Sequence, residues 1–215
     1  MTDDPLNTDI DVLEQTVERL FADNLLLRRR LRRFAQRTTR IRRYAFYDEL
    51  TGLPNRRLLR DRCRHALREA VRKQRGLTLL LVDLEGFNEI DERVGHADGD
   101  RLLRQVAERI TDCTRVGDAV FRYGGARFAV LLPEFDASDT AESIRTDIRA
   151  QLILPFIAGR HTVDIAASIG TAEFPVQGQT YEALFDQAEL AMYGPSVPVG
   201  SPSDPARRSL RERGF

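Results

Sequence analysis

Cysteine is scarce in this chain of 215 residues. Cys63 and Cys113 stand far apart, without His or Cys neighbours at ligand spacing. That argues against a disulfide framework or a zinc site and leaves two buried, reduced thiols as the expectation. No apolar run approaches the about 20 residues that a membrane-spanning helix requires. The first residues, Met1-Thr2-Asp3-Asp4-Pro5, are acidic where a secretory leader would be basic and then apolar, so a cytoplasmic protein is expected. Charge of one sign is also missing: Lys+Arg and Asp+Glu both number 33, so any attraction to nucleic acid or an anionic surface must be local.

A heptad pattern is present. Ile10, Leu13, Val17, Leu20, Asn24, Leu27, Leu31, Phe34, Thr38, Ile41 and Ala45 follow one another at alternating steps of three and four, with no Pro or Gly between them. This predicts a coiled-coil helix within residues 1–46, and a homodimer through 10–45. A helix of that length, about 54 Å at 1.5 Å per residue, outreaches a small domain. Asn24 at an a position favours a parallel pair. The charges favour an antiparallel one, because the acidic residues precede an acid-free basic run from Arg28 to Arg43. That run is also a candidate nucleic-acid or anion-binding patch, against the simpler alternative of a solvated helix face.

From Tyr47 to Tyr193 the pattern is α/β. Helices are predicted over Arg57–Arg72, Asp98–Thr111, Asp139–Leu152 and Tyr181–Met192. Strands are predicted over Leu77–Val82, Ala119–Tyr123, Arg127–Leu132 and Thr162–Ser168, and Gly124-Gly125 turns the middle two into a hairpin. The expected architecture is a central mixed sheet wrapped by helices. Residues 194–215, rich in Pro and Gly and without periodicity, are expected to form a disordered tail.

Six motifs stand in order along residues 47–193: Asp48-Glu49-Leu50-Thr51-Gly52-Leu53-Pro54-Asn55-Arg56, Asp83-Leu84-Glu85-Gly86-Phe87, Gly95-His96-Ala97-Asp98-Gly99-Asp100, Arg122-Tyr123-Gly124-Gly125, Ala167-Ser168-Ile169-Gly170 and Ala191-Met192-Tyr193. In this order and spacing the region resembles the GGDEF family, the diguanylate cyclases that join two GTP molecules into cyclic di-GMP. The resemblance implies a fold akin to the nucleotide cyclases. It also implies phosphoryl transfer in which carboxylates hold divalent metals, cations take up triphosphate charge and a carboxylate helps deprotonate the attacking hydroxyl.

Position by position, the substrate site departs from that pattern. Asp83 matches the first metal-binding aspartate. Where the family has a metal-bridging carboxylate after the glycines Gly124 and Gly125, this chain has Ala126, and the following Glu is Arg127. Hard divalent cations need oxygen ligands, so magnesium is not expected to bind and Asp83 is vestigial as a ligand. Asn88 replaces the phosphate-binding lysine, and Asp91 replaces the guanine-reading Asn, exchanging an amide donor for an acceptor-only carboxylate. Asp100 matches the second guanine-reading residue, with a helix cap as its structural alternative. Gly194-Pro195 interrupts the place where phosphate-binding cations usually follow Ala-Met-Tyr. His96 is expected to be a packed turn residue, and Asp48 is expected to pair with Arg56.

A second site retains the pattern that the resemblance implies. Arg115-Val116-Gly117-Asp118 places its Asp six positions before Gly124, the register of the family's Arg-x-x-Asp product-inhibition motif. The arginine can give two parallel hydrogen bonds to a guanine edge or phosphate, and the carboxylate can accept from guanine. Arg145 and Arg149 are candidates for a further arginine from the helix after the hairpin. The expectation is a catalytically inactive domain, without a cofactor, that binds cyclic di-GMP and reports through dimerisation or a protein partner. The alternatives are a ligand-free scaffold, and an enzyme with residual or altered nucleotide activity.

Overall fold

The computed structural model describes residues 19–21, 23–32, 43–135 and 138–193. The chain divides into two units, Met1–Ala45 and Phe46–Phe215. In the first, 19–21 and 23–32 are helical, and Leu20, Phe21, Leu25, Leu27 and Leu31 are exposed. Five predicted seam positions, Leu20, Asn24, Leu27 and Leu31 in these stretches and Ala45 in the helical stretch 43–46, lie on helix. Ile10, Leu13, Val17, Phe34, Thr38 and Ile41 lie outside the described residues, as do Arg33, Arg37, Arg40, Arg42 and the segment 194–215. No helix among the described residues is long and apolar enough to cross a membrane.

The second unit runs α1 (Arg56–Lys73), β1 (Gly76–Leu84), α2 (Phe87–Val94), α3 (His96–Asp112), β2 (Ala119–Gly124), β3 (Arg127–Phe135), α4 (Ser138–Ile153), β4 (Phe156–Ala158), β5 (His161–Val163), β6 (Ala167–Phe174) and α5 (Tyr181–Tyr193). The main sheet has the order β2-β3-β1-β6, and β4 with β5 forms a separate small hairpin. Every adjacent pair in the main sheet is antiparallel, where the sequence predicts mixed directions. The hairpin explains the difference. β1 and β2 point the same way, but β3 returns from β2 and inserts between them, so no parallel strands are neighbours.

β1 is mostly apolar, Thr78 and Asp83 excepted, because its residues from Leu77 to Val82 are buried on both faces. Leu77, Leu79 and Leu81 join α1 and α5 on one side with Leu59, Leu67, Phe121 and Leu184. Leu80, Val82 and Leu84 join α3 and α4 on the other with Leu102, Val106, Ile148 and Phe156. Cys63 is fully buried in the first cluster, and burial pushes its thiol up to about 12. Cys113 is half-buried and its thiol is also raised, chiefly by burial, so both cysteines fit reduced, unreactive thiols.

Asn55 caps α1 through its side-chain oxygen, which accepts from the backbone N–H groups of Arg57 and Leu58. Two short elements, α2 and β4, are not predicted by the sequence. The strand predicted over 162–168 is instead two strands separated by Asp164–Ala166. β5 folds back on β4, whereas β6 joins the main sheet beside β1. At Gly170 an added Cβ would lie 2.0 Å from the Ala188 carbonyl oxygen and 2.4 Å from the Met192 nitrogen. The missing side chain lets α5 press onto β6, which brings the end of that helix to the end of β1.

Candidate functional site

Asp83 stands near the end of β1, directly opposite Arg127 of β3 and, on its other side, Ser168 of β6. Cross-strand partners lie within side-chain reach, and Arg127 Nε donates to Asp83 Oδ2 at 3.1 Å. Its Nη1 donates to Glu189 at 3.3 Å and its Nη2 to the Tyr193 hydroxyl. Tyr193 in turn donates to Asp83 Oδ2 at 3.3 Å. Glu189 and Tyr193 are one turn apart on α5, so both point at the same guanidinium. Burial works against the charge of Arg127, but Asp83, Tyr193 and Glu189 together outweigh it and raise its affinity for the proton. Burial raises the Tyr193 phenol, which stays a neutral donor. Each partly exposed ion pair contributes only about 0–1 kcal/mol; the consequence of the cluster is where it puts a cation.

The hairpin turn needs its glycines for backbone reasons: Gly124 has φ 143° and Gly125 φ 57°, conformations that side chains disfavour. Arg122, only 8% exposed, holds the turn by donating from Nε and Nη2 to the Gly125 carbonyl at 3.2 and 2.6 Å. Its Nη1 donates to Asp48 Oδ1 at 3.1 Å. Asp48 also accepts from the Thr51 backbone and hydroxyl, at 2.8 and 2.7 Å. The predicted partner of Asp48, Arg56, is therefore replaced by Arg122, because the Asp48–Asn55 turn folds against the hairpin rather than onto its own helix. The bridge from Asn55 to Arg122 and the hydrogen bond from the Arg122 N–H to the Pro54 carbonyl fix that placement.

The residues facing a divalent cation do not fit one. Asp83 keeps its carboxylate, but Ala126 has no side-chain ligand atom and the Arg127 guanidinium lies against Asp83. Among the described residues no group of three or more His, Cys, Asp and Glu side chains could hold a metal ion. Nearby, Ser168 Oγ donates to Glu85 at 2.5 Å.

On α2 and α3, Asn88 is exposed and Asp91 Oδ2 lies 2.6 Å from His96 Nδ1. The His96 side chain is 92% exposed, so it is not the packed histidine that the sequence predicts; its turn projects outward and its partner among the described residues is Asp91. Asp100 is not a cap either. α3 begins at His96 after Gly95, which leaves Asp100 exposed within the second turn. Gly99 is buried, and an added Cβ would lie 1.8 Å from Asp91 Oδ1, so that carboxylate is seated on the glycine.

The Arg-x-x-Asp motif forms a tight turn before β2. Asp118 Oδ2 accepts from the Arg115 N–H at 2.8 Å, and the Asp118 N–H donates to the Arg115 carbonyl at 3.1 Å. Gly117 takes φ 113° at the tip, beside an exposed Val116. Asp118 thus braces the turn through backbone, and the exposed Arg115 guanidinium has no hydrogen bond or ion pair among the described residues. Arg145 on α4 is held by Glu142, with Nε to Oε2 at 2.8 Å, and that contact lowers the Glu142 carboxyl. Arg149 adds its charge to Glu142. No hydrogen bond or ion pair links Arg115 to either. The sequence motifs point to Asp83, Tyr193 and the hairpin. They miss Glu189, whose only signal is its position one turn before Tyr193.

Residues 45–195 match the family described as "Diguanylate cyclase, GGDEF domain". The chain is 40% identical over 149 residues to the bifunctional diguanylate cyclase/cyclic di-GMP phosphodiesterase MucR of Pseudomonas aeruginosa, covering 69% of this chain and 22% of MucR. It therefore spans about a fifth of that curated relative, and 34% of the length of the diguanylate cyclase TpbB of the same species. The crystal structure of the TpbB GGDEF domain superposes with a TM-score of 0.65 at 38% identity, covering 66% of this chain and 89% of that one. The coiled coil and GGDEF domain of DgcB from Caulobacter crescentus, solved in complex with c-di-GMP, superposes with a TM-score of 0.72 at 27% identity, covering 83% and 93%.

Proposed function

The chain belongs to the GGDEF family of diguanylate cyclase domains, and from that premise we propose that it is a catalytically inactive member that binds cyclic di-GMP through Arg115 and Asp118. The observation that carries the loss of catalysis is the ion pair between Arg127 and Asp83. A fixed guanidinium is a cation that cannot polarise phosphates as a divalent metal does, because it offers donors at set positions and no open coordination site. Asp83 is spent on that pair, and Ala126 supplies no replacement ligand. The catalytic residue set is therefore empty.

The receptor role is supported by the turn from Arg115 to Asp118. Its backbone is braced, while the Arg115 guanidinium is left exposed for a guanine edge or a phosphate. Arg145 and Arg149 would extend such a site if Arg145 leaves Glu142. DgcB was solved with c-di-GMP bound. Dimerisation through residues 10–45 would carry the response, consistent with the exposed Leu20, Leu27 and Leu31 on the helical stretches 19–21 and 23–32.

Titration calorimetry with cyclic di-GMP tests this reading. Binding to the wild type that is lost or much weakened in Arg115→Ala supports it, and no heat at saturating dinucleotide overturns it. Incubation with GTP and magnesium or manganese should yield no cyclic dinucleotide; turnover would overturn the assignment as inactive. A second reading, a ligand-free scaffold, is favoured by the same exposed helix, and SiaD, a further structural relative, was solved with its activator SiaC. Partner binding with no dinucleotide affinity would select it.

A further inference from the structure

A cavity of about 340 Å³ lies between α1 and the sheet, on the side away from α3 and α4. Its origin is a set of small residues. Ala66 and Ala70 of α1 face Gly117, in the turn before β2, and Ala119 at the start of that strand, and larger side chains at these places would fill the space as protein interiors ordinarily are filled. The floor is apolar: Phe121 and Leu131 line it from the sheet and are themselves buried, and Leu58 closes one end. The volume falls in the range of small-molecule sites, about 300–1,000 Å³, and so does the lining, apolar with a few polar groups at one edge.

Those polar groups are mostly cationic. Arg62 of α1 stands at the lip with Lys73 and Arg75, beside His65 and one acid, Glu69. The acid is already engaged, by Arg72 at 2.6 Å and Lys73 at 3.9 Å. Arg62 is exposed and makes no hydrogen bond or ion pair among the described residues. The lip therefore has a surplus of positive charge above an apolar floor.

We propose that this cavity binds an amphipathic organic anion of the medium-chain fatty carboxylate class, with the chain on Phe121, Leu131 and Ala70 and the carboxylate on Arg62. Arginine matches a carboxylate with two parallel hydrogen bonds, and the chain displaces water from apolar surface that no side chain among the described residues fills. The site borders the Arg-x-x-Asp turn at Gly117 but uses neither Arg115 nor Asp118, so it does not depend on the cyclic di-GMP reading.

The test is calorimetry of the full chain with dodecanoate and with dodecanol, backed by displacement of anilinonaphthalene sulfonate fluorescence. Dodecanoate should bind at a single site, about tenfold or more weaker in Arg62→Glu, lost in Ala66→Phe and unchanged in Arg115→Ala. If Ala66→Phe does not fold, Arg62→Glu on the exposed lip decides. Absence of dodecanoate binding, equal binding in Arg62→Glu, or equally tight binding of dodecanol would overturn the proposal.

Discussion

Arg127 and Asp83 face each other across the β1–β3 ladder, Nε 3.1 Å from Oδ2, with Glu189 and Tyr193 closing on the same guanidinium from α5. One side chain thus fills, with fixed positive charge, the place to which a cation would be drawn.

Removing that charge and restoring oxygen ligands should create metal affinity. Manganese binding, followed by electron paramagnetic resonance, is expected to appear in the double substitution Ala126→Asp with Arg127→Glu and to be absent from the wild type. Arg127→Ala alone leaves Asp83 and Glu189 without a third carboxylate and should bind more weakly than the double variant.

At the Arg-x-x-Asp turn, Arg115→Ala should weaken cyclic di-GMP binding by one to two orders of magnitude. The loss corresponds to about 1.5–3 kcal/mol for a hydrogen bond to a charged group. Asp118→Asn is expected to weaken binding too, and calorimetry alongside thermal melts separates this from loss of the brace to the Arg115 N–H.

Gly170→Ala places a methyl group against the backbone of α5, with a nearest approach of 2.0 Å. Destabilisation of about 1–3 kcal/mol is expected from overpacking, read from urea denaturation midpoints. The same shift should loosen the contacts of Arg127 with Glu189 and Tyr193.

Glu182 supplies a pH dependence. Hydrogen bonds from Arg60, its own backbone N–H and Arg64 lower its carboxyl from 4.5 to about 2. Because the folded value is depressed, the stabilisation is present above the unfolded value near 4.5 and is lost as pH falls toward about 2. Glu182→Gln should melt below the wild type at neutral pH, and the gap should narrow across that window in thermal scans.

The family and the hairpin were legible in the sequence, because turn glycines, apolar runs and residue identities at fixed spacing are local properties. β1 illustrates this: six consecutive buried residues, Leu77 to Val82, announce a strand covered on both faces. Pairing choices were not legible. Asp48 meets Arg122 rather than Arg56, His96 projects into solvent, and β5 and β6 part company at Asp164–Ala166, since each outcome depends on which surfaces the chain brings together.

The residue identities at Ala126 and Arg127, and the spacing of Arg115 and Asp118 on which the proposed function rests, were thus determined by the sequence alone. Only the tertiary structure decided what stands in the vacated place. Gly170 lets α5 close on β6, and that approach puts Glu189 and Tyr193 around a guanidinium that strand register has already set beside Asp83. The same packing of α1 on the sheet opened the cavity under Arg62, a consequence of distant small residues meeting, which no local pattern encodes.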